Sequence, residues 1–219
     1  MAIPGKDQYL SDLCEILARR WPENRTVNIA CHGHNVPSGY ACTPFVDTFQ
    51  AYPHLMHRNL VQRFPYAVIN VIVTAIGGEN SAQGAARFED DVLCHKPDLI
   101  TIDYGLNDRR LSLKEAETAW RRMIEMALNR KIWLILLTPS WDQSWFSQAE
   151  EWETLVQHAQ QIRNLADEYQ VALADSFAAY QHEVDEHGDL LDLLCHWKNP
   201  SRIGHDLIAK ELIAWFPAG

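Results

Sequence analysis

The chain has 219 residues, of which 47% are hydrophobic and 22% are charged, and its formal net charge is −10. This length suits one substantial hydrophobic core and is short for two, so we expect a single domain over residues 1–219. The negative charge, with lysines and arginines scattered instead of forming a stripe, argues against nucleic acid as a partner.

The first seven residues, MAIPGKD, lack the basic region and the apolar stretch of a signal peptide. No run of about 18 apolar residues is present, as a membrane-spanning helix would require. We therefore expect a cytoplasmic protein without a membrane partner. The cysteines are odd in number and widely spaced, and none forms a Cys-x-x-Cys pair, which indicates reduced, mostly buried thiols without a disulfide framework or a zinc site. They are Cys14, Cys31, Cys42, Cys94 and Cys195.

Hydrophobic periodicity predicts helices that alternate with short apolar strands. Leucines at helical spacing over 10–17 predict a first helix, and Ser112 with Glu115 and Ser147 with Glu150 predict capping boxes at two later helix starts. The further helices are predicted at 48–63, 82–93, from 112, from 147 to 169, at 177–187 and at 202–216. The strands are predicted at 27–30, 66–73, 99–104, 133–137 and 171–174.

Strands that are buried on both faces and joined by crossover helices predict a three-layer α/β/α fold. We expect a five-stranded parallel sheet with the strand order 2-1-3-4-5. Ligands bind such sheets at the carboxyl ends of the strands, so the loops that follow the strands are the places to look for a site. These loops are 31–45, 75–81, 105–110, 138–147 and 192–201.

Three segments at these strand ends carry motifs of one hydrolase family. Residues 33–39 read GHNVPSG, residues 105–108 read GLND, and residues 196–205 read HWKNPSRIGH. In this order they resemble the Gly-Asp-Ser, Gly-x-Asn-Asp and Asp-x-x-His-Pro blocks of SGNH (GDSL-type) hydrolases. Segments 51–54, 74–81 and 102–108 are similar to a bacterial acylhydrolase and esterase branch of that family. The resemblance implies the SGNH, flavodoxin-like topology, a small-molecule ester substrate and no cofactor.

The resemblance also assigns roles within the site. Asn35 stands at the position of the serine nucleophile, Asn199 at that of the histidine base, and His196 at that of the aspartate that orients the base. The oxyanion hole would consist of the backbone N–H groups of Asn35 and Ala75 and the side-chain amide of Asn107. Because an amide is neither a useful nucleophile nor a base near neutral pH, we expect esterase activity to be absent or severely reduced.

A second hypothesis is a non-catalytic binding module that holds a carboxylate, acyl or sugar ligand in the same pocket. Gly105 at the strand end and three tryptophans in the predicted site loops, Trp141, Trp145 and Trp197, are the candidate ligand contacts. Taken without the family, Asn35 would be interpreted as a cap of the following turn.

Two further interpretations concern Ser38 as a replacement nucleophile and His32 with His34 as metal ligands. Ser38 is the nearby hydroxyl that could replace the nucleophile if His34 or His196 turned toward it. His32 and His34 lie on either side of Gly33 without a carboxylate at close ligand spacing. Their pattern favours local hydrogen bonding over a metal site.

Overall fold

A computed structural model describes residues 5–217 of the chain. It contains a five-stranded sheet in the order β2-β1-β3-β4-β5, and every neighbouring pair of strands is parallel. The predicted fold class and strand order are therefore confirmed. The strands are β1 (Thr26–Gly33), β2 (Val68–Val73), β3 (Leu99–Asp103), β4 (Trp133–Leu137) and β5 (Ala172–Ala174).

Helices cover both faces of this sheet. In the described range they are α1 (Ser11–Ala18), α2 (Asn35–Ser38), α3 (Tyr52–Arg63), α4 (Ser81–Asp91), α5 (Leu113–Leu128), α6 (Ser144–Ser147), α7 (Glu150–Tyr169), α8 (Ser176–His187) and α9 (Arg202–Ile213). Side chains alternate between the two faces along β1: Val27 and Ile29 join one core cluster, and Ala30 joins the other. The first cluster packs against α1, α3, α8 and α9, and the second against α4 and α5. This division produces the three layers.

The helix starts show which capping predictions hold. Ser112 precedes α5 and forms the predicted box, in which its hydroxyl accepts from the Glu115 N–H and the Glu115 carboxylate accepts from the Ser112 N–H. The box predicted at Ser147 is wrong, since Ser147 is the last residue of α6 and its hydroxyl donates to the Ser144 carbonyl. The helix that follows begins at Glu150 without a side-chain cap.

One local structure had no sequence prediction. Residues 194–200 form a small antiparallel hairpin, of β6 (Leu194–Cys195) and β7 (Asn199–Pro200), where only a loop was expected. The hairpin holds Asn199 opposite Cys195 and leads into α9. It therefore fixes one of the predicted site residues.

Burial of the cysteines differs from the prediction. Cys14 and Cys31 are buried, whereas Cys42 and Cys94 are exposed and Cys195 is half-buried; all five thiols are free. No helix within residues 5–217 is long and apolar enough to cross a membrane.

Candidate active site

The loop after β1 turns sharply to place Asn35 at the start of α2. Gly33 makes this turn possible, because a Cβ there would lie 2.4 Å from the Asp103 backbone oxygen of the neighbouring strand. His34 caps the short helix, with its ring Nδ1 accepting from the Val36 N–H at 3.1 Å. Asn35 is thereby held at the carboxyl end of the sheet, with only 7% of its surface exposed.

Three asparagine side chains, which we call the amide cluster, meet at this point. Asn35 Nδ2 donates to Asn199 Oδ1 at 2.5 Å, and Asn107 Nδ2 donates to Asn35 Oδ1 at 3.1 Å. Asn107 Nδ2 also donates to the Glu79 carbonyl at 2.9 Å, and Asn199 Nδ2 donates to the Ala41 carbonyl at 2.7 Å. The three residues come from separate parts of the sequence and are all buried. The amides are aligned as a continuous chain of donors and acceptors.

Asn107 is positioned by the turn that follows β3. Its backbone N–H donates to the Tyr104 carbonyl at 3.0 Å. The adjacent Asp108 carboxylate accepts from the Ser81 N–H and from Trp120 Nε1, both at 2.7 Å. Burial raises the pKa of Asp108 to about 6 although these hydrogen bonds oppose the shift. Asp108 thus ties the Asn107 turn to the start of α4 and to the middle of α5.

Asn199 is positioned by the hairpin and by the start of α9. The Ser201 N–H donates to the Leu193 carbonyl at 2.8 Å, and the Ser201 hydroxyl caps α9 by accepting from the Gly204 N–H at 3.3 Å. Asn199 follows a tight turn in which His196 has φ +68°. Both ends of β7 are therefore anchored, which aims the Asn199 amide at Asn35.

Ala75 is not brought to the amide cluster. The N–H groups of Thr74 and Ile76 both donate to carbonyls of β1. Because N–H groups alternate in direction along an extended strand, the Ala75 N–H is directed away from β1. The segment reaches the cluster four residues later, through the Glu79 carbonyl. The oxyanion-hole role predicted for Ala75 therefore has no support in its placement.

His196 lies outside the cluster, in the exposed turn of the hairpin. Its ring packs edge-on against Trp197 with centroids 5.5 Å apart. Among the hydrogen bonds of residues 5–217, none joins His196 to Asn199; the Asn199 amide is held by Ala41 and Asn35 instead.

The predicted ligand contacts separate into core and surface residues. Trp141 is fully buried, with its ring centroid 4.9 Å from that of Trp152, so it packs in the core. Trp145 is half-buried and stacks on Trp141 at 5.7 Å. Gly105 packs against Pro139, since a Cβ at this position would lie 2.8 Å from Pro139 Cδ. Trp197 is 58% exposed and faces an open cleft.

That cleft adjoins the amide cluster through Asn107 and has a volume of about 420 Å³. Its walls carry charges of both signs. Arg109 is paired with Asp142 at 2.6 Å, and burial and the nearby Arg110 lower the pKa of Lys198. The lining residues are Leu106, Asn107, Arg109, Arg110, Asp142, Gln143, Glu150, Glu151, Thr154, Trp197 and Lys198. Sequence reasoning missed these cations, since no motif pointed to them.

Ser38 and the two histidines near the first loop all have hydrogen-bond partners, which are local for Ser38 and His34 and lie in distant segments of the chain for His32. The Ser38 hydroxyl donates to the His34 carbonyl at 2.9 Å, while the buried His34 ring accepts from Val36 and has Nε2 3.4 Å from Asp103. His32 contacts the Thr74 hydroxyl at 3.0 Å, and burial lowers its pKa to about 3, which keeps it neutral. In the described range, no group of three or more His, Cys, Asp and Glu residues could hold a metal ion.

Comparisons with known proteins bear on the family and the fold of the chain. The model of the GDSL-like lipase/acylhydrolase family matches residues 31–207. An acetylxylan esterase from Geobacillus stearothermophilus is 24% identical over 164 residues, which cover 68% of this chain and 73% of that protein. The structure of a variant acetyl xylan esterase from the same organism superposes with a TM-score of 0.74 at 22% identity, covering 88% of this chain and 95% of that one. A two-domain esterase active on acetylated mannans gives a TM-score of 0.72 at 19% identity, covering 96% of this chain and 52% of that one.

Proposed function

The chain belongs to the GDSL-like lipase/acylhydrolase family, and on that premise we propose that it is an ester-hydrolase scaffold whose hydrolytic activity is lost or severely reduced. The observation that carries the proposal is the direct contact of Asn35 with Asn199. These are the positions at which the motifs place the nucleophile and the base, and the two amides bond to each other there.

The chemistry of the amide cluster explains the expected loss. Hydrolysis through an acyl-enzyme needs a hydroxyl and a neighbouring group that takes up and returns its proton near neutral pH. Asn35 and Asn199 offer neither, because an amide nitrogen is not basic. In a serine protease, removing the nucleophile or the base costs about a millionfold in turnover, and the oxyanion hole and binding keep about 10³ to 10⁴ over water. We therefore expect this chain to hydrolyse esters, at most, at that residual rate.

A binding function is the second candidate, and the open cleft beside the cluster favours it. Trp197 presents an exposed indole at one wall, on which the apolar face of a sugar ring can stack. Asn107 lines the same cleft and Arg110 offers a guanidinium there. Because relatives act on acetylated xylan and mannans, we propose that an acetylated sugar chain is the ligand class that fits.

Hydrolysis is tested with p-nitrophenyl acetate and butyrate. The chain as it stands is compared with the double variant Asn35→Ser and Asn199→His, after circular dichroism shows both to be folded. We expect the chain itself to hydrolyse the esters near the buffer rate and the double variant to gain activity. Turnover by the chain itself at a rate typical of esterases would refute the proposed loss.

Binding is tested by titration calorimetry with acetylated and deacetylated xylo-oligosaccharides. We expect saturable binding that Trp197→Ala weakens by about tenfold or more, as loss of one aromatic stacking contact predicts. Trp21→Ala is the matched control, since Trp21 is 84% exposed and does not line the cleft. Equal loss in both variants, or no binding of either sugar, would remove the binding candidate.

A further inference from the structure

Two cysteines from distant parts of the sequence lie in contact near the amide cluster. Cys42 Sγ and Cys195 Sγ are 2.9 Å apart, across 153 positions. Both thiols are free; Cys42 is exposed and Cys195 is half-buried. Because Cys42 is exposed, a reagent in solution can reach this pair. Among residues 5–217 no other pair of cysteines is joined by a hydrogen bond.

The two cysteines belong to the segments that hold Asn199. Cys42 follows Ala41, whose carbonyl accepts the hydrogen bond from Asn199 Nδ2. Cys195 is the register partner of Asn199 across the hairpin. A covalent bond between the two sulfurs would thus fasten the loop after α2 to the hairpin, beside the contact of Asn35 with Asn199.

We propose that Cys42 and Cys195 form a modification site, at which a reversible disulfide ties these two segments together. The sulfurs need to approach by less than about 1 Å to reach the normal S–S length of about 2.05 Å. Cys42 lies in a short surface loop with an isolated bridge between Tyr40 and Val46, and Cys195 lies in a two-residue strand. A shift of this size is confined to the surface loop and the hairpin, neither of which belongs to the five-stranded sheet.

The oxidant is a low-molecular-weight disulfide such as oxidised glutathione. The Cys42 thiolate attacks one sulfur of that disulfide, which releases one glutathione thiolate and leaves a mixed disulfide on Cys42. Cys195 then loses its proton and attacks the Cys42 sulfur, which releases the second glutathione thiolate. The two protons lost by the cysteines are taken up by the two released thiolates. Two protein thiols are oxidised and one glutathione disulfide is reduced.

The order of attack follows from exposure. Cys42 is open to solvent, whereas the hydrogen bond with Cys42 and partial burial raise the pKa of Cys195 to about 11. Cys14 and Cys31 are buried, and burial raises the pKa values of their thiols to about 11 and about 12. Cys94 is exposed but has no thiol partner, so we expect it to stop at the mixed disulfide.

Peptide mapping of the oxidised chain tests the proposal. The protein is incubated with oxidised glutathione, its free thiols are alkylated, and the digest is compared with and without a reductant. We expect a reducible link between the peptides of Cys42 and Cys195, which Cys94→Ser retains and Cys42→Ser abolishes. Mixed disulfides on Cys42 without the internal link, or links chiefly between separate chains, would overturn the proposal.

Thermal unfolding gives a second measurement on the unmutated chain. Closing a loop of this length restricts the unfolded state, so we expect oxidation to raise Tm by roughly 5 to 15 °C. Treatment with dithiothreitol should return Tm to its starting value. An internal link that forms in full yet lowers Tm would contradict the claim that the folded chain accepts the bond.

Discussion

Asn35 and Asn199 are bonded side chain to side chain, with Nδ2 of Asn35 donating to Oδ1 of Asn199 across 164 positions. The contact joins the loop after β1 to the hairpin before α9. Asn107 Nδ2 donates to Oδ1 of Asn35, so the Asn35 side chain bridges the other two. Because all three amides are buried, each depends on its neighbours for hydrogen bonds.

Truncation of the pair should show this dependence as a coupling energy. We expect Asn35→Ala and Asn199→Ala each to lower the free energy of unfolding by about 1 to 3 kcal/mol, because each leaves a buried polar partner unsatisfied. The double variant should lose about 1 kcal/mol less than the sum, since the shared bond is lost only once. Urea denaturation of the four chains measures the coupling.

The exposed pair of Gln160 and Asn164 on α7 is the matched control for this cycle. Substitution of Asn164 by alanine should change stability by less than about 0.5 kcal/mol. Strictly additive losses at Asn35 and Asn199 would show that the short contact contributes nothing to stability.

Gly33 should not tolerate a side chain. In Gly33→Ala the new Cβ would lie 2.4 Å from the Asp103 backbone oxygen and 2.8 Å from Pro37 Cγ. Backbone cannot move aside at the centre of the sheet without disturbing the pairing of β1 with β3, so we expect a loss of about 2 kcal/mol or more. Gly5→Ala meets no atom within 4 Å and serves as the control. Equal Tm values for the two variants would contradict the close approach.

His205 should make the chain sensitive to acid. Burial lowers its pKa from 6.5 to about 3, and its Nδ1 accepts from the Tyr52 N–H at 3.2 Å. The folded state holds this ring neutral while the unfolded state takes up a proton below about pH 6.5. The contribution of the neutral His205 ring to the stability of the fold is therefore fully present above pH 6.5, and it is lost as the pH falls toward 3.

A comparison of slopes isolates this residue. His205→Asn keeps an acceptor for the Tyr52 N–H and removes the proton site, so its unfolding free energy should fall less steeply between pH 6 and pH 4, by up to about 1.4 kcal/mol per pH unit. Asp108, whose raised pKa acts with the opposite sign, is present in both chains and cancels. Parallel curves for His205→Asn and the unsubstituted chain would refute the assignment.

The sheet could be predicted from the sequence because its strands are short apolar runs between amphipathic helices. β4 was predicted with its observed bounds, whereas β1 extends to Gly33, past the apolar residues. His32 and Gly33 carry no strand signal of their own and are held by pairing with β3. The capping box at Ser147 failed because the same letters fit a short helix end, and the Asn80–Gln83 box that starts α4 was missed.

The motif order predicted that Asn35, Ala75, Asn107 and Asn199 would meet, because the carboxyl ends of parallel strands share one edge of the sheet, and the three asparagines do meet there. The motifs could not give the direction of the Ala75 N–H, since that direction depends on how far β2 stays paired with β1. Burial of Trp141 was equally out of reach, because a tryptophan in a loop can pack inward or face solvent. The contact of Cys42 with Cys195 depends on the hairpin, whose two-residue strands give no periodic signal.

The most direct test of the proposed loss of activity is the rate of p-nitrophenyl acetate hydrolysis by four folded chains. These are the chain itself, Asn35→Ser, Asn199→His and the double variant. A serine at position 35 without a base and a histidine at position 199 without a hydroxyl each lack a partner, so each single variant should gain little. The double variant restores the proton path beside Asn107, and its gain should exceed the product of the single gains by about tenfold or more. A folded double variant that stays as inert as the chain itself, or a chain that is already active without substitution, would contradict the account.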